Sequence, residues 1–399
     1  MGQMAGPALE GLRILDMTQY EAGTSCTQAL AWLGADVVKI ERPERGDPGR
    51  GPGGSAEYFV VWNSNKRSVA IDLAAPTGRQ LLLDMLPNYD VFVENYGPGV
   101  VEKLDIGYDV MRAVKADIIY ARIKGFGTSG PWSDYKCYDM VAQSAAGAFS
   151  ITGEPDGPPM RPGPTTGDAG TGVQMALAIA AAYVQKLNTG KGQLIELSMQ
   201  EAMTYYLRTA TSGGNYGERA ARRSGNGGTP NMSLYPCKGD GPNDYVYIMA
   251  VTARMWEALC RAIDRQDLLT DPRYADPRER YERRTEIKAE IEKWTRSRDK
   301  YDAMRQLAEG GVPASAVLDT SDLYRNPHLV ERGFVHEVDH PAAGTIKLLG
   351  WPARMSESKV PIEAAPLLGE HTREVVAEDL GIGGEELDAL ADAGIIGRN

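Results

Sequence analysis

Leu12-Arg13-Ile14-Leu15-Asp16-Met17 begins the segment that indicates the fold class, and Asp36-Val37-Val38-Lys39-Ile40 ends it. Both segments have the apolar, β-branched composition of buried strands. Residues 26–33 between them predict a helix, which Gly34 ends. The three segments together predict a βαβ unit with two parallel strands.

The same alternation continues along the first half of the chain. Further strands are predicted at 68–73, 90–94 and 117–121, with a helix at 77–85. Such alternation predicts the α/β class and a parallel, doubly wound sheet. The turn after the first strand lacks the GxGxxG pattern, so the sheet gives no support for NAD or FAD as cofactor.

The second half of the chain has a different composition. Residues 213–244 are rich in Gly, Asn, Pro and Arg and predict a linker or mobile loop region. A charged, helix-rich segment (255–309) and a strand-rich segment (312–349) follow, and a helix at 381–396 closes the chain. At 399 residues the chain is long enough for two domains.

Composition excludes several classes of protein. The net charge of −11 argues against a nucleic-acid binder, which needs clustered cations. The four cysteines contain no CxxC pair, so neither a disulfide framework nor a zinc cluster is expected. No segment has the pattern of an export signal or a membrane span, which favours a cytoplasmic protein.

Basic residues nevertheless gather in the first 140 positions. Most follow predicted strand ends, where open α/β sheets bind ligands, so the group predicts a polyphosphate ligand. Its members are Arg42, Arg45, Arg50, Lys66, Arg67, Lys103, Lys124 and Lys136.

Asp168 is the most informative single residue. It lies among glycines in Gly167-Asp168-Ala169-Gly170, just before the small-residue apolar run 173–184, which predicts a helix ending near 188–190. Asp168 is therefore expected at a helix N-terminus, where a structural N-cap is the ordinary interpretation. The glycines would let a large ligand approach this carboxylate closely. Tyr138-Asp139 fits either buried packing or the wall of a site, and the residues alone favour packing for both.

Other catalytic patterns have little support. His336 and His340 are four residues apart, but their surroundings predict a strand end and no metal site. No Gly-x-Ser-x-Gly motif is present, so a serine hydrolase is not expected.

Taken together, these residues resemble the class III coenzyme A transferases, the CaiB/BaiF family, over nearly the whole chain. The matching segments, in order, are 11–16, 33–43, Asn63-Ser64-Asn65-Lys66-Arg67-Ser68, Glu94-Asn95-Tyr96-Gly97-Pro98-Gly99, Lys124-Gly125-Phe126-Gly127, Gly167-Asp168, Thr189-Gly190-Lys191-Gly192-Gln193 and 365–372.

The resemblance implies a Rossmann-like large domain from residues 1–210 and 330–399, a linker at 211–224, and a smaller α+β domain at 225–329. It also implies a homodimer of interlocked rings, with a heteromer containing a related subunit left open. The partners expected are small molecules, an acyl-CoA and a carboxylic acid, with neither a further cofactor nor a metal.

By the same resemblance, Asp168 is the nucleophile that forms an aspartyl anhydride and then an aspartyl-CoA thioester. Residues implied to bind CoA are Arg42, Lys66, Arg67, Asn95, Tyr96, Lys103, Lys124 and Lys136. Residues implied to face the acyl group are Gln19, Tyr20, Glu21, Tyr138, Gly227 and Gly228.

Two alternative functions stay open. The family includes 2-methylacyl-CoA racemases, but these carry a His-Asp pair where this chain has Tyr138, and a tyrosine is a poor proton carrier near neutral pH. The other alternative is a non-catalytic CoA-binding subunit of a heteromeric transferase.

One residue, Glu21, bears on the choice of substrate acids. A family member specific for formate and oxalate carries glutamine at the position of Glu21, which argues against those two acids here. Glu21 would repel a carboxylate substrate unless it is protonated, paired with a cation or in contact with the acyl tail. The sequence suggests succinyl-CoA with a larger dicarboxylic or an aromatic acid, with Arg222 or Arg223 as the partner of a distal carboxylate.

Overall fold

The computed structural model describes residues 6–52, 56–274 and 276–398. Its residues form two compact units. Unit 1 comprises the described residues up to Ala148, Arg161–Arg219, and those from Gly333 onward. Unit 2 comprises Phe149–Met160 and the described residues of Ala220–Arg332. No helix in the described ranges is both long enough and apolar enough to cross a bilayer.

A six-stranded parallel sheet forms the centre of unit 1, with strand order β3-β2-β1-β4-β5-β6. The predicted parallel α/β sheet is therefore confirmed. The order reverses between β1 and β4, and ligands bind open α/β sheets at such a reversal, beyond the carboxyl ends of the strands. The strands are β1 (Arg13–Met17), β2 (Asp36–Glu41), β3 (Arg67–Ala70), β4 (Val91–Glu94), β5 (Ile119–Lys124) and β6 (Leu194–Ser198).

The remaining strands form two small antiparallel sheets, β7-β8-β9 in unit 2 and the hairpin β10-β11 in unit 1. Strand β7 lies inside residues 213–244, so the prediction of a continuous loop there was wrong. These strands are β7 (Met232–Pro236), β8 (Tyr245–Met249), β9 (Ala314–Ala316), β10 (Val335–His340) and β11 (Gly344–Leu349).

Helices cover both faces of the large sheet and fill much of unit 2. In chain order the α-helices are α1 (Ala22–Ala31), α2 (Glu57–Asn63), α3 (Pro76–Met85), α4 (Val100–Lys103), α5 (Tyr108–Val114), α6 (Asp139–Ala145), α7 (Ala148–Ile151), α8 (Ala169–Thr189), α9 (Met199–Tyr206), α10 (Arg208–Gly213), α11 (Ala253–Ala262), α12 (Asp267–Thr270), α13 (Pro277–Glu282), α14 (Arg284–Arg296), α15 (Lys300–Glu309), α16 (Thr320–Leu323), α17 (Pro327–Glu331), α18 (Thr372–Leu380) and α19 (Gly384–Asp392).

The two faces of the sheet belong to two separate apolar clusters, because successive side chains of a strand point in opposite directions. Leu15 and Met17 of β1 pack in one cluster, which includes Val375 of α18. Ile14 of the same strand packs in the other, with Met175 of α8. Both faces are therefore covered, as a parallel sheet requires.

Unit 2 has a core of its own. Helices α11, α14 and α15 contribute Leu259, Ile291 and Leu307, which pack in one cluster with Val246 and Ile248 of β8. All five side chains are fully buried.

Candidate active site

Two helices begin side by side at the carboxyl end of the sheet. The long helix α8 packs against α1 so closely that a Cβ atom at Gly172 would lie 2.0 Å from the Ser25 Oγ atom. Only glycine permits this approach without rearrangement. The packing brings together Glu21, the residue before α1, and Asp168, the residue before α8.

Asp168 occupies the N-cap position of α8, as the sequence predicts, but its side chain makes no capping hydrogen bond. Its backbone N–H donates to Asp139 Oδ1 at 3.0 Å. Gln143 Nε2 donates to both oxygens of Asp139, at 3.1 and 3.0 Å. Asp139 therefore fixes the backbone of Asp168, and among the described residues no group donates a hydrogen bond to the Asp168 carboxylate.

The environment of Asp168 disfavours its charged form. Burial has the largest effect, and the neighbouring carboxylates of Glu21 and Asp139 add to it, so that the pKa of Asp168 rises to about 7. Burial and like charge both penalise an ionised carboxylate. A carboxylate with a raised pKa is more basic, and hence a stronger nucleophile when it is ionised.

Asp168→Asn is expected to stabilise the protein increasingly as the pH rises. The folded-state pKa of Asp168 lies above the unfolded value, so ionisation costs folding free energy from about pH 4 upward until the folded protein also ionises near pH 7. The gain in unfolding free energy should widen by about 2–3 kcal/mol between roughly pH 5 and pH 8. Urea unfolding at a series of pH values measures it. Exposed Asp240→Asn is the control, and an equal gain at every pH would contradict the account.

Glu21 is a second buried carboxylate, with 3% of its surface exposed. Its Oε1 accepts a hydrogen bond from Thr165 Oγ1 at 2.5 Å, and its Oε2 accepts one from Tyr58 OH at 3.2 Å. Burial has the largest effect on the pKa of Glu21 and raises it, Asp139 adds to the rise, and the two hydroxyls partly oppose it.

A cavity of about 390 Å³ opens beside Asp168 within unit 1. Tyr20 and Tyr138 form part of its wall, with their rings edge to face at 6.1 Å. Tyr138 is 64% exposed, so its interpretation as packing was wrong. Lys136 and Cys137 line the same cavity.

The loop after β1 is held rigidly against the loop after β4. Gln19 N–H donates to Asn95 Oδ1 at 2.8 Å, and Asn95 Nδ2 donates back to the Gln19 carbonyl at 2.9 Å. Tyr20 has a φ of 58°, which is unusual for a side chain of this size. Its N–H donates to Asp47 Oδ1 at 3.2 Å, which helps to hold this conformation.

A second cavity, of about 470 Å³, lies at the ends of β1, β2 and β3. It shares Gln19 and Tyr96 with the first cavity. Exposed Arg42 and Arg45 line it, together with apolar surface from Ile71 and Leu73. The cations of Arg42 and Arg45 can bind an anionic group of a ligand, and the apolar side chains beside them can pack against a flat ring.

Four of the predicted phosphate-binding cations lie in ion pairs within the protein. Arg50 is fully buried and pairs with Glu41 at 2.6 Å. Lys66 is fully buried with Asp16 at 2.9 Å, and Lys124 binds Glu94 at 2.9 Å. Arg67 binds Asp36 at 2.7 Å, and Asp36 lies at the amino end of β2, on the opposite edge of the sheet from the cavities. Carboxylates of the protein therefore neutralise these cations.

The other predicted residues are distributed as follows. Lys103 is exposed at the end of α4 and is not among the residues lining either cavity. Gly227 and Gly228 belong to unit 2, where Gly227 accepts a hydrogen bond from Lys288 Nζ at 3.2 Å. Within the described ranges, no group of His, Cys, Asp and Glu side chains is suited to hold a metal ion.

The sequence pattern did not predict three residues that the structure brings to the site, Tyr58, Thr165 and Asp139. Thr165 lies three residues before Asp168, and this nearness was the one available signal. Tyr58 comes from α2, far away in the sequence, and nothing in the pattern pointed to it. Asp139 lay beside Tyr138 and shared its interpretation as packing.

Comparisons of sequence and of structure with known proteins point to the same family. A model of CoA-transferase family III matches residues 9–372. The formyl-CoA:oxalate CoA-transferase of Streptomyces avermitilis is 38% identical over 411 residues, covering 98% of this chain and 99% of that protein. The same-named protein of Rhodopseudomonas palustris (strain BisA53) is 38% identical over 417 residues, covering 98% and 97%. The crystal structure of a CaiB/BaiF family protein from Brucella suis superposes with a TM-score of 0.83 at 29% identity, covering 94% of this chain and 99% of that one.

Proposed function

Because this chain belongs to CoA-transferase family III and is a class III CoA-transferase, we propose that it moves CoA between two carboxylic acids through covalent intermediates on Asp168. The observation that carries the proposal is the Asp168 carboxylate itself. It lines a cavity, accepts no hydrogen bond from the described residues, and has its pKa raised to about 7 by burial, Glu21 and Asp139. The Asp168 carboxylate is therefore basic, receives no hydrogen bond from the described residues, and is accessible to a ligand in the cavity.

In the first half of the reaction, an oxygen of ionised Asp168 attacks the thioester carbonyl of the donor acyl-CoA. A C–O bond forms and the C–S bond breaks, leaving an aspartyl anhydride and CoA thiolate. The thiolate then attacks the Asp168 carbonyl, forms a C–S bond and expels the donor acid as its carboxylate. Asp168 now carries CoA as a thioester, so one difficult exchange is divided into easier steps.

The second half repeats these steps in reverse order with the acceptor. The carboxylate of the acceptor attacks the Asp168 thioester carbonyl and displaces CoA thiolate, which gives a second anhydride. The thiolate attacks the acceptor carbonyl, forming the new acyl-CoA and releasing Asp168 as a carboxylate. The bond from Asp168 N–H to Asp139 holds the aspartyl backbone in place through all four steps.

We place the nucleotide end of CoA in the 470 Å³ cavity and its thioester end in the 390 Å³ cavity. Arg42 and Arg45 offer charged donors for phosphate in the first, and Lys136 offers one in the second. Tyr96 lines both cavities and would contact the pantetheine chain that joins them. Lys66, Arg67 and Lys124 are left out of this set because protein carboxylates already bind them.

The acids remain those that the sequence suggested, with succinyl-CoA as donor and a larger dicarboxylic or an aromatic acid as acceptor. The tyrosines around the Asp168 cavity support an aromatic acceptor, because aromatic rings pack well edge to face. Tyr20, Tyr135 and Tyr138 supply this surface.

A homodimer also belongs to this proposal. Helix α8 exposes a row of apolar side chains, which single chains rarely leave in water as a continuous patch. Its members are Val173 (46% exposed), Leu177 (72%), Val184 (58%) and Leu187 (68%).

An isotope experiment tests the covalent route. An acceptor acid with ¹⁸O at both carboxylate oxygens should deliver one labelled oxygen to Asp168 in each turnover, because the anhydride oxygen stays on aspartate when CoA attacks the acceptor carbonyl. In the next turnover that oxygen can leave in the released donor acid. Mass spectrometry of the Asp168 peptide and of the donor acid should find the label in both. Product formation with no label in either would contradict the covalent route.

A further inference from the structure

We infer that Glu21 selects the acceptor acid by its charge: it excludes acids with a second negative group beside the reacting carboxylate, and it admits acids that are uncharged there. The inference rests on the proposed function, since it concerns the acid that attacks the Asp168 thioester. The mechanism above gives Glu21 no step, yet its carboxylate is buried and lies between two residues of the chain, Tyr20 and Ala22, that line the Asp168 cavity.

The position of Glu21 supports this role. Its two neighbours in the chain, Tyr20 and Ala22, line the same cavity as Asp168. Its side chain is 3% exposed, so water screens its charge weakly. Thr165, which donates a hydrogen bond to Glu21, lies three residues before Asp168, and this contact ties Glu21 to the segment that leads into α8.

The contacts of Glu21 leave its charge uncompensated. Burial raises the pKa of Glu21 and is the largest effect on it. The hydroxyls of Thr165 and Tyr58 donate one hydrogen bond to each of its oxygens and oppose this rise, because such bonds favour an ionised carboxylate. In the part of the chain that the structure describes, no lysine, arginine or histidine forms an ion pair with Glu21, Asp139 or Asp168. Asp139 adds a further negative group on the side of α6.

The negative charge of Glu21 can discriminate between acceptor acids because of how charge changes during the reaction. The reacting carboxylate of an acceptor loses its charge when it bonds to the Asp168 carbonyl, because the electron pair leaves on the CoA thiolate. A second carboxylate one or two bonds away keeps its charge through every step. It would stay near Glu21, and exposed Lys136, which lines the same cavity, forms no ion pair with Glu21. Like charges in a buried site repel strongly.

Two matched pairs of acids test the inference. Oxalate is acetate with a carboxylate in place of the methyl group, and malonate is related to propionate in the same way. The ratio of kcat/KM for the monocarboxylate to that for the dicarboxylate is measured in the wild type and in Glu21→Gln. Glutamine keeps a similar size and can bond both hydroxyls, so the ratio should fall by roughly ten-fold or more when the charge is removed.

Tyr58→Phe is the matched control, because it removes one hydrogen bond to Glu21 and leaves the charge in place. It should slow both acids of a pair alike and leave the ratio unchanged. The inference is overturned if the wild type does not discriminate, if Glu21→Gln leaves the ratio unchanged, or if Tyr58→Phe lowers the ratio as much.

Failure of the proposed function looks different. If no acyl-CoA donor modifies Asp168, the covalent route is wrong whatever the ratios are. Calorimetric dissociation constants of the same four acids, measured on the CoA-bound protein, then give the same comparison without turnover. An equal preference for monocarboxylates in the wild type and Glu21→Gln would overturn the role of Glu21 there too.

Discussion

Asp168→Ala should abolish CoA exchange, lowering kcat by roughly 10⁴-fold or more, because losing the nucleophile removes every covalent step. The two carboxylates that raise the pKa of Asp168 are engaged in other hydrogen bonds. Glu21 is held by two hydroxyls, and Asp139 is held by Gln143 and by the backbone of Asp168. Steady-state assays with a donor acyl-CoA and an acceptor acid measure the loss.

The fold and acyl-CoA binding should survive this substitution. Alanine removes a buried charge whose pKa is raised to about 7, so the variant should unfold at a higher denaturant concentration than the wild type at neutral pH. Asp134→Ala removes another carboxylate from the same cavity and should keep most of the activity. Exchange by Asp168→Ala within about ten-fold of wild type would show that the nucleophile lies elsewhere.

Lys66→Met should destabilise unit 1 by about 3–5 kcal/mol, because it leaves a buried carboxylate without its partner. Lys66 Nζ contacts Asp16 Oδ2 at 2.9 Å, Asn63 Oδ1 at 2.9 Å and the Thr24 carbonyl at 3.1 Å. Burial alone would raise the pKa of Asp16, but Lys66 and Lys39 outweigh it and hold the pKa at about 2. Chemical denaturation measures the loss.

The double variant Asp16→Asn/Lys66→Met is the matched control for this pair. Removing both charges should restore at least half of the lost stability, since no buried charge is then left unpaired. The experiment also separates a structural role of Lys66 from phosphate binding. Unchanged stability together with a raised KM for acyl-CoA in Lys66→Met would contradict the structural role.

The large sheet could be predicted from sequence because its signals are local. The apolar runs of β1 and β2, and Gly34 between them, show the βαβ unit within some thirty residues. The strand β7 was missed because it follows a stretch rich in glycine and proline, and its pairing with β8 is a contact between segments. Such a contact decides the structure of a short strand more than its own composition does.

The site was only partly predictable for the same reason. The glycines and the helix pattern around Asp168 are local, and they indicated its place at the start of α8. Ion pairing is not local: Lys66 and Asp16 are separated by a strand and two helices in the sequence. The sequence shows that a lysine is charged, but it does not show which carboxylate will pair with that charge in the folded protein. The environment of Glu21 combines three distant segments, those of Glu21, Tyr58 and Thr165.

The most direct test of the central claim is intact-protein mass spectrometry after incubation with a panel of acyl-CoA donors, followed by trapping with hydroxylamine or borohydride and peptide mapping. A covalent adduct is expected on the peptide that contains Asp168, formed by at least one donor and absent from Asp168→Ala. An enzyme that exchanges CoA at full rate without any adduct, or with the adduct on another residue, would contradict it.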